Sequence, residues 1–277
     1  MHHSEESFTA SDGLSIFTQS WLPETTPTAI IILVHGYGEH SGRYSHVAEM
    51  LVQAGYGVYT LDHRGHGKSA GLRAYYKSID EPVRDLEQYF QHVQQQHPNQ
   101  KIFMIGHSMG SLIALKFALR NQAKLAGLVL SGTAVNSTDT VPGYQRGLLN
   151  ILRSVAPTFP LVPSLSADAL STDPQTVHDY DADPLNYRGS WRIGLAAELL
   201  KVSEELQARA NELTLPLLVM HGETDEITPI AGAHTIYNRA SSTDKTLKTY
   251  PGMRHEIFNE LEREIVFADL RGWLQTH

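Results

Sequence analysis

The chain has no cysteine among its 277 residues, which rules out disulfides, thiolate metal sites and a cysteine nucleophile, and leaves the redox compartment unread. Long apolar runs are missing too: the longest, Ala29 to Val34, is six residues, far below the ~20 that a bilayer-crossing helix needs. Met1 to Ser7 is rich in His, Ser and Glu rather than basic then apolar, so no secretory signal is read and a cytoplasmic location is the expectation. Positive charge is scarce. The 22 Lys and Arg face 30 Asp and Glu, a formal charge of -8 with no basic run, which argues against a nucleic-acid partner. With 41% hydrophobic and 19% charged residues, the chain can bury one sizeable core but is too short for two ordinary enzymes in tandem.

What is present is an alternation of short apolar strands with amphipathic stretches. Asp12-Gly13 is a favoured hairpin turn, flanked by arms that carry Phe8, Leu14, Phe17 and Trp21. The β-branched run Ala29 to Val34 reads as a central strand buried on both faces. Further strands are expected at Val58–Leu61, Ile102–Ile105, Leu128–Leu130, Leu217–Met220 and Leu247–Tyr250. Helical spacing links Val47, Met50 and Leu51; Val83, Leu86, Phe90 and Val93; Leu112, Leu115 and Leu119; and a last stretch from Phe258 to Trp273. This alternation implies an α/β protein with a mostly parallel central sheet flanked by helices. Residues 134–189, proline-rich and without a strand-like run, read as an inserted helical cap, with 1–133 and 190–277 as the core. Within the insertion Leu148, Leu149, Ile151, Leu152 and Val155 form an apolar face opposite Gln145, Arg146, Asn150 and Arg153.

Gly106-His107-Ser108-Met109-Gly110 directly follows the Ile102 strand and directly precedes a helix, the context that a G-x-S-x-G nucleophile elbow requires. The alternative is a glycine-rich turn with an incidental serine. A serine hydroxyl needs an imidazole to take its proton, and the imidazole needs an acid on its other nitrogen. Asp225 and His255 each follow a later strand, at the sheet edge where open α/β sheets build their sites. The chain order Ser108, Asp225, His255 is that of the α/β-hydrolase fold. Glu223 and Glu226 are rival acids, and His234 is a rival base discounted because it falls within a helix. Oxyanion donors are expected from the backbone amides of Met109, the residue after the nucleophile, and of Tyr37 in His35-Gly36-Tyr37-Gly38. Gly67-Lys68-Ser69 ends like a phosphate loop, but Asp62 occupies the position of its first glycine, so no nucleotide site follows. Asp62, His63 and His66 read as structural rather than as metal ligands, and neither a metal nor a cofactor is expected.

The segments His35 to Tyr44, Asp62 to Ser69 and Gly106 to Gly110, taken together, resemble the monoacylglycerol lipases, and the likeness runs through Asp183-Pro184-Leu185, His221 to Asp225 and Asp244 to Lys248. The resemblance implies an esterase that cleaves monoacylglycerols to glycerol and fatty acid, with Ser108, Asp225 and His255 as triad and the Tyr37 and Met109 amides as oxyanion donors. It also lets Glu39 and Arg43 bracket the polar head, against the alternative of a loop-pinning ion pair. Two positions depart from the family: Ser111 replaces a common glycine, and Phe258 stands where animal members carry a polar histidine. A long acyl tail offers about 0.8 kcal/mol per buried methylene before ordering costs, which favours an apolar tunnel under the cap. Leu148, Ile151, Leu152 and Phe159 are its candidate lining, and the same face predicts transient contact with a membrane or micelle. Lysophospholipids or short esters are alternative substrates, and a catalytically silent binder is the alternative from a different class.

Overall fold

The run Ile30–Val34 is apolar throughout because alternate side chains enter two different cores. Ile30, Ile32 and Val34 face one, and Ile31 and Leu33 face the other. Everything else in the computed structural model, which describes residues 1–135, 142–164 and 166–277, is arranged about this strand. The chain begins with the antiparallel hairpin β1 (His2–Thr9) and β2 (Ser15–Leu22), turning at Asp12-Gly13, where Gly13 takes φ 90°. Then come β3 (Ile30–Val34), α1 (Ser45–Gln53), β4 (Gly57–Leu61), α2 (Asp80–Gln96), β5 (Ile102–His107), α3 (Met109–Asn121) and β6 (Gly127–Ser131). A helical excursion follows, comprising α4 (Gly143–Val155), β7 (Pro160–Val162), α5 (Pro174–Ala182), β8 (Trp191–Arg192) and α6 (Ile193–Arg209). The chain closes with β9 (Leu217–Gly222), α7 (Ala231–Arg239), β10 (Lys245–Tyr250) and α8 (Arg263–Thr276).

The sheet runs in the order β1-β2-β4-β3-β5-β6-β9-β10. Only the β1–β2 and β2–β4 pairs are antiparallel; the remaining five are parallel. Helices α2, α3 and α6 cover one face and α1 and α8 the other. On the first face Phe90 of α2 meets Phe117 of α3 at 5.0 Å between ring centroids, both buried. This mostly parallel, doubly covered sheet is the α/β-hydrolase architecture expected from the sequence. Its parallel strands β3, β5, β6, β9 and β10 end along one edge, and the loops that leave there carry His35 to Tyr44, Ser108, Thr133, Asp225 and His255.

Three local differences from the sequence expectations have physical reasons. The proline-rich stretch expected to lack strands contains β7, which pairs antiparallel with β8. The apolar pattern from Phe258 to Trp273 is two elements rather than one helix: Ile257–Asn259 is a single tight turn, and α8 starts at Arg263. Buried Glu260 lies between them, accepting from the Thr172 and Arg254 amides and the Ser171 and Thr172 hydroxyls, which holds the chain out of a helix there. Finally, α6 was not anticipated. Packed between α3 and α4, it buries Ile193, Leu195, Ala197, Leu199 and Val202 on several sides, which blurs its period. Residues 136–141 and 165 of the expected 134–189 insertion lie outside the described residues. Among the described residues no helix is long and apolar enough to cross a membrane.

Candidate active site

The site is built around a turn that glycine alone permits. A Cβ on Gly106 would lie 2.7 Å from the Gly110 carbonyl oxygen, and one on Gly110 would lie 2.2 Å from the Val34 oxygen and 2.4 Å from that of His35. The first turn of α3 therefore rests directly on the ends of β3 and β5. Squeezed between them, Ser108 adopts φ 53° and ψ -122°, a conformation costly for a residue with a side chain. Its amide donates to the Ser131 carbonyl at 3.0 Å, and its carbonyl accepts from the Ser111 hydroxyl at 2.5 Å. Ser111 in turn accepts from the Ala134 amide at 3.2 Å and lies 3.1 Å from Thr133 Oγ1. The Ser111 side chain thus ties the strained turn to the loop after β6. Ser108 stays half-buried with its hydroxyl on a cavity, hydrogen-bonded to no described residue.

Asp225 and His255 meet as the sequence predicts. His255 Nδ1 donates to Asp225 Oδ2 at 2.8 Å, and both side chains are shielded from solvent. The carboxylate is heavily solvated by protein. Its Oδ1 accepts from the Ile227 and Thr228 amides, and its Oδ2 also accepts from Thr228 Oγ1 at 2.8 Å and His221 Nε2 at 3.2 Å. Burial would raise the Asp225 pKa, but the His255 and His221 contacts outweigh it and hold the group far below the usual carboxylate range. Burial would likewise lower that of His255; the Asp225 carboxylate overcomes it, and the imidazole sits above its ordinary 6.5. His107, whose ring centroid is 4.8 Å from that of His255, is instead pushed down to about 3 by burial and by His255, so it adds no competing charge. The rivals lie elsewhere: Glu223 and Glu226 are exposed, Glu223 accepting from Thr249, and His234 is exposed on α7.

The His35–Gly38 loop lies against the nucleophile, with Gly36 so close that a Cβ there would be 3.0 Å from Ser108 Cβ. Both ends of its first peptides are pinned. His35 Nε2 accepts from the His63 amide at 2.9 Å, so Nδ1 carries the hydrogen and donates to the Gly36 carbonyl at 2.8 Å. In a trans peptide the Tyr37 N–H then points the opposite way. That N–H, like the one on Met109, donates to no described residue. Burial, reinforced by His63 and His66, holds His35 well below its usual pKa, which keeps its Nε2 an acceptor. Asp62 is engaged with the Ser41 and Lys68 amides, so its loop is a structural brace.

Glu39 and Arg43 sit behind this loop rather than in the cavity. Buried Glu39 accepts from the Gly36 amide at 2.6 Å, Tyr44 Oη at 2.7 Å and Arg43 Nη1 at 2.8 Å. The Arg43 guanidinium also forks onto Glu256, at 2.6 and 2.7 Å. One buried cation therefore joins the Tyr37 loop to the His255 loop. Phe258 is buried against Phe267 in the core and supplies nothing to the site.

A cavity of about 490 Å³ opens from Ser108 and Met109 and is lined by Leu112, Leu148, Leu149, Leu152, Leu161, Val162, Trp191, Leu199, Leu200 and Ile227, with Gln145 and Thr228 as polar members. Leu148 and Leu152 are thus where the sequence put them. Ile151 and Phe159 are not: each is more than half exposed and outside the lining. Leu148, Leu149 and Leu152 share the inner face of α4, Ile151 is rotated outward, and Phe159 lies in the turn before β7. Sequence reasoning gave no role to Thr228, His221 and Trp191: Thr228 and Trp191 belong to no motif, and His221, at the head of the His221 to Asp225 segment, meets the acid only through the fold. The electrostatics here predict that in a histidine NMR titration His255 titrates above 6.5 and falls in Asp225→Asn; a His255 pKa at or below 6.5 in the wild type would contradict the pairing.

The family described as Serine aminopeptidase, S33, matches residues 25–262. A monoacylglycerol lipase of Mycolicibacterium smegmatis is 40% identical over 99% of this chain and 98% of its own. The human monoglyceride lipase is 33% identical over 95% and 88%. The crystal structure of Paleococcus ferrophilus monoacylglycerol lipase superposes with a TM-score of 0.83 at 29% identity, covering all of both chains. The chain therefore belongs to the S33 serine aminopeptidase family of α/β-hydrolases, alongside the monoacylglycerol lipases.

Proposed function

We propose that the protein is a serine ester hydrolase that cleaves monoacylglycerols to glycerol and free fatty acid through an acyl-enzyme on Ser108. The observation that carries this reading is the apolar cavity that begins at the strained serine. Ten buried methylenes offer about 8 kcal/mol before ordering costs, enough to hold a single acyl chain without a charged anchor. His255 Nε2 takes the proton of Ser108 Oγ as it attacks the ester carbonyl, and Asp225 holds Nδ1–H and stabilises the imidazolium. The Tyr37 and Met109 amides receive the developing oxyanion, each worth about 2.7 to 4 kcal/mol. His255 then protonates glycerol as it leaves, and water repeats the sequence in reverse on the acyl-enzyme.

Glu39 and Arg43 act on this chemistry by holding the His35–Gly36 peptide that leads into Tyr37, since their polar atoms are engaged with each other, Gly36, Tyr44 and Glu256. The 134–189 stretch is read as the cap over a core of 1–133 and 190–277. An aminopeptidase activity, suggested by the family description alone, would need a carboxylate for the substrate's ammonium group. No Asp or Glu lines the cavity among the described residues.

The outer face of α4 carries Tyr144, Ile151 and Val155 at helical spacing, all exposed, with Phe159 and Leu161 nearby. This supports transient docking of the cap on a membrane or micelle, from which a lipid enters the cavity. Co-flotation with liposomes is expected, and a protein left wholly at the bottom of the gradient would remove this part of the reading.

Steady-state hydrolysis of monoacylglycerols of about eight to eighteen carbons, beside short p-nitrophenyl esters and a lysophosphatidylcholine, tests the substrate. The expectation is a preference for monoacylglycerols that drops about 10⁴-fold or more in Ser108→Ala. Activity confined to short esters would keep the nucleophile and reject the lipid assignment.

A further inference from the structure

The Tyr37 ring stands in an aromatic box. His66 and Tyr187 meet it edge-on, at 5.7 and 6.2 Å between centroids, and Trp191 stacks on its face at 3.6 Å with 22° between the planes. Of these neighbours, only Trp191 also lines the acyl cavity among the described residues. It is half-buried, and it belongs to β8, whose partner β7 supplies Leu161 and Val162 to the same cavity wall. The neighbouring Arg192 fixes the strand from behind, donating to the carbonyls of Arg73 and Thr158. One side of the indole thus faces the space for substrate, and the other lies against the residue whose amide is aimed at the reacting carbonyl.

Building on the proposed function, we propose that Trp191 is a positioning residue that couples occupancy of the acyl cavity to the oxyanion donor at Tyr37. An acyl chain lying along the cavity presses on the exposed face of the indole. Through the stack, this restricts the Tyr37 side chain and, with it, the Gly36–Tyr37 peptide. That peptide is already held at its carbonyl by His35, and the preceding His35–Gly36 peptide is held at its N–H by Glu39, so the remaining freedom lies toward Trp191. Because oxyanion stabilisation depends on donors being fixed before charge develops, tightening this peptide raises kcat rather than ground-state affinity. A short acyl group that does not reach the indole gains nothing from the coupling. The enzyme would then favour long chains in two separable ways: burial, read in KM, and alignment, read in kcat.

The test compares wild type, Trp191→Phe and Trp191→Leu on p-nitrophenyl acetate and p-nitrophenyl dodecanoate, with thermal unfolding recorded for each. Leu keeps an apolar wall but loses the stack; Phe keeps a flat ring on Tyr37. Wild type is expected to show a higher kcat for dodecanoate. In Trp191→Leu the ratio of kcat for dodecanoate to kcat for acetate falls about tenfold, the size of loss expected from a slight misplacement of a catalytic donor, and Phe restores most of that ratio. Equal losses of kcat on both esters, or a change in KM alone, would overturn the coupling and leave the proposed function standing. A wild type with no kcat advantage for dodecanoate would also overturn it. Wild type without activity on any long-chain ester would instead overturn the proposed function itself.

Discussion

The contact between the first turn of α3 and the ends of β3 and β5 sets the rest of the site. It is a backbone-to-backbone approach, closed enough that Gly106 and Gly110 have no room for a Cβ. Ser108 takes up the resulting strain in its positive φ. The cost is met by neighbours that over-determine the turn: Ser131 accepts its amide, Ser111 donates to its carbonyl, and the buried β3–β5–β6 ladder holds both strands in register. Fixing this turn leaves the Met109 amide, at the head of α3, without a partner among the described residues and brings Gly36 against Ser108.

Around that fixed point the remaining loops are held by buried polar groups rather than by bulk packing. Asp225 collects two amides, a hydroxyl and two imidazoles, so its charge is stabilised in place and available to His255. Arg43 spans two carboxylates from different loops, one behind Tyr37 and one next to His255. Removing one partner from such a network leaves a buried charge uncompensated, which is why these pairs fix loop geometry even where their net contribution to stability is small. The apolar half of the site is made differently, from side chains of α3, α4, β7, β8 and α6 that leave a cavity instead of filling it. Polar precision at the reacting end and apolar volume beyond it together suit an ester with one long chain.

Much of this was legible in the sequence because the chemistry demands particular residues at particular places. The elbow needs its glycines, the base and acid must follow later strands, and the run at Ile30–Val34 marks a strand buried on both faces. What was not legible lies where contacts are made across the fold. Ser111 finds Thr133 and Ala134 only because β5 and β6 are neighbours, and Thr228 reaches Asp225 from a loop that carries no signature. Ile151 falls within the broad apolar face that helical spacing marks along α4, but it lies at the edge of that face that turns outward, so the spacing placed it in a cavity that it does not line. The turn at Glu260 breaks the helical period where its buried carboxylate is tied to the Thr172 and Arg254 amides, partners from other loops that the local spacing does not show. Glu39 and Arg43 were open to two readings from sequence, and only their bonding partners favour the loop over the substrate.

The central claim is that the strained Ser108 is the group that attacks the substrate. Reaction with a fluorophosphonate bearing a long alkyl chain, followed by peptide mass analysis and residual esterase assay, tests it directly. One adduct on Ser108, rising in step with loss of activity, is the predicted result. Loss of activity with Ser108 unmodified, or full activity with Ser108 fully modified, would contradict it.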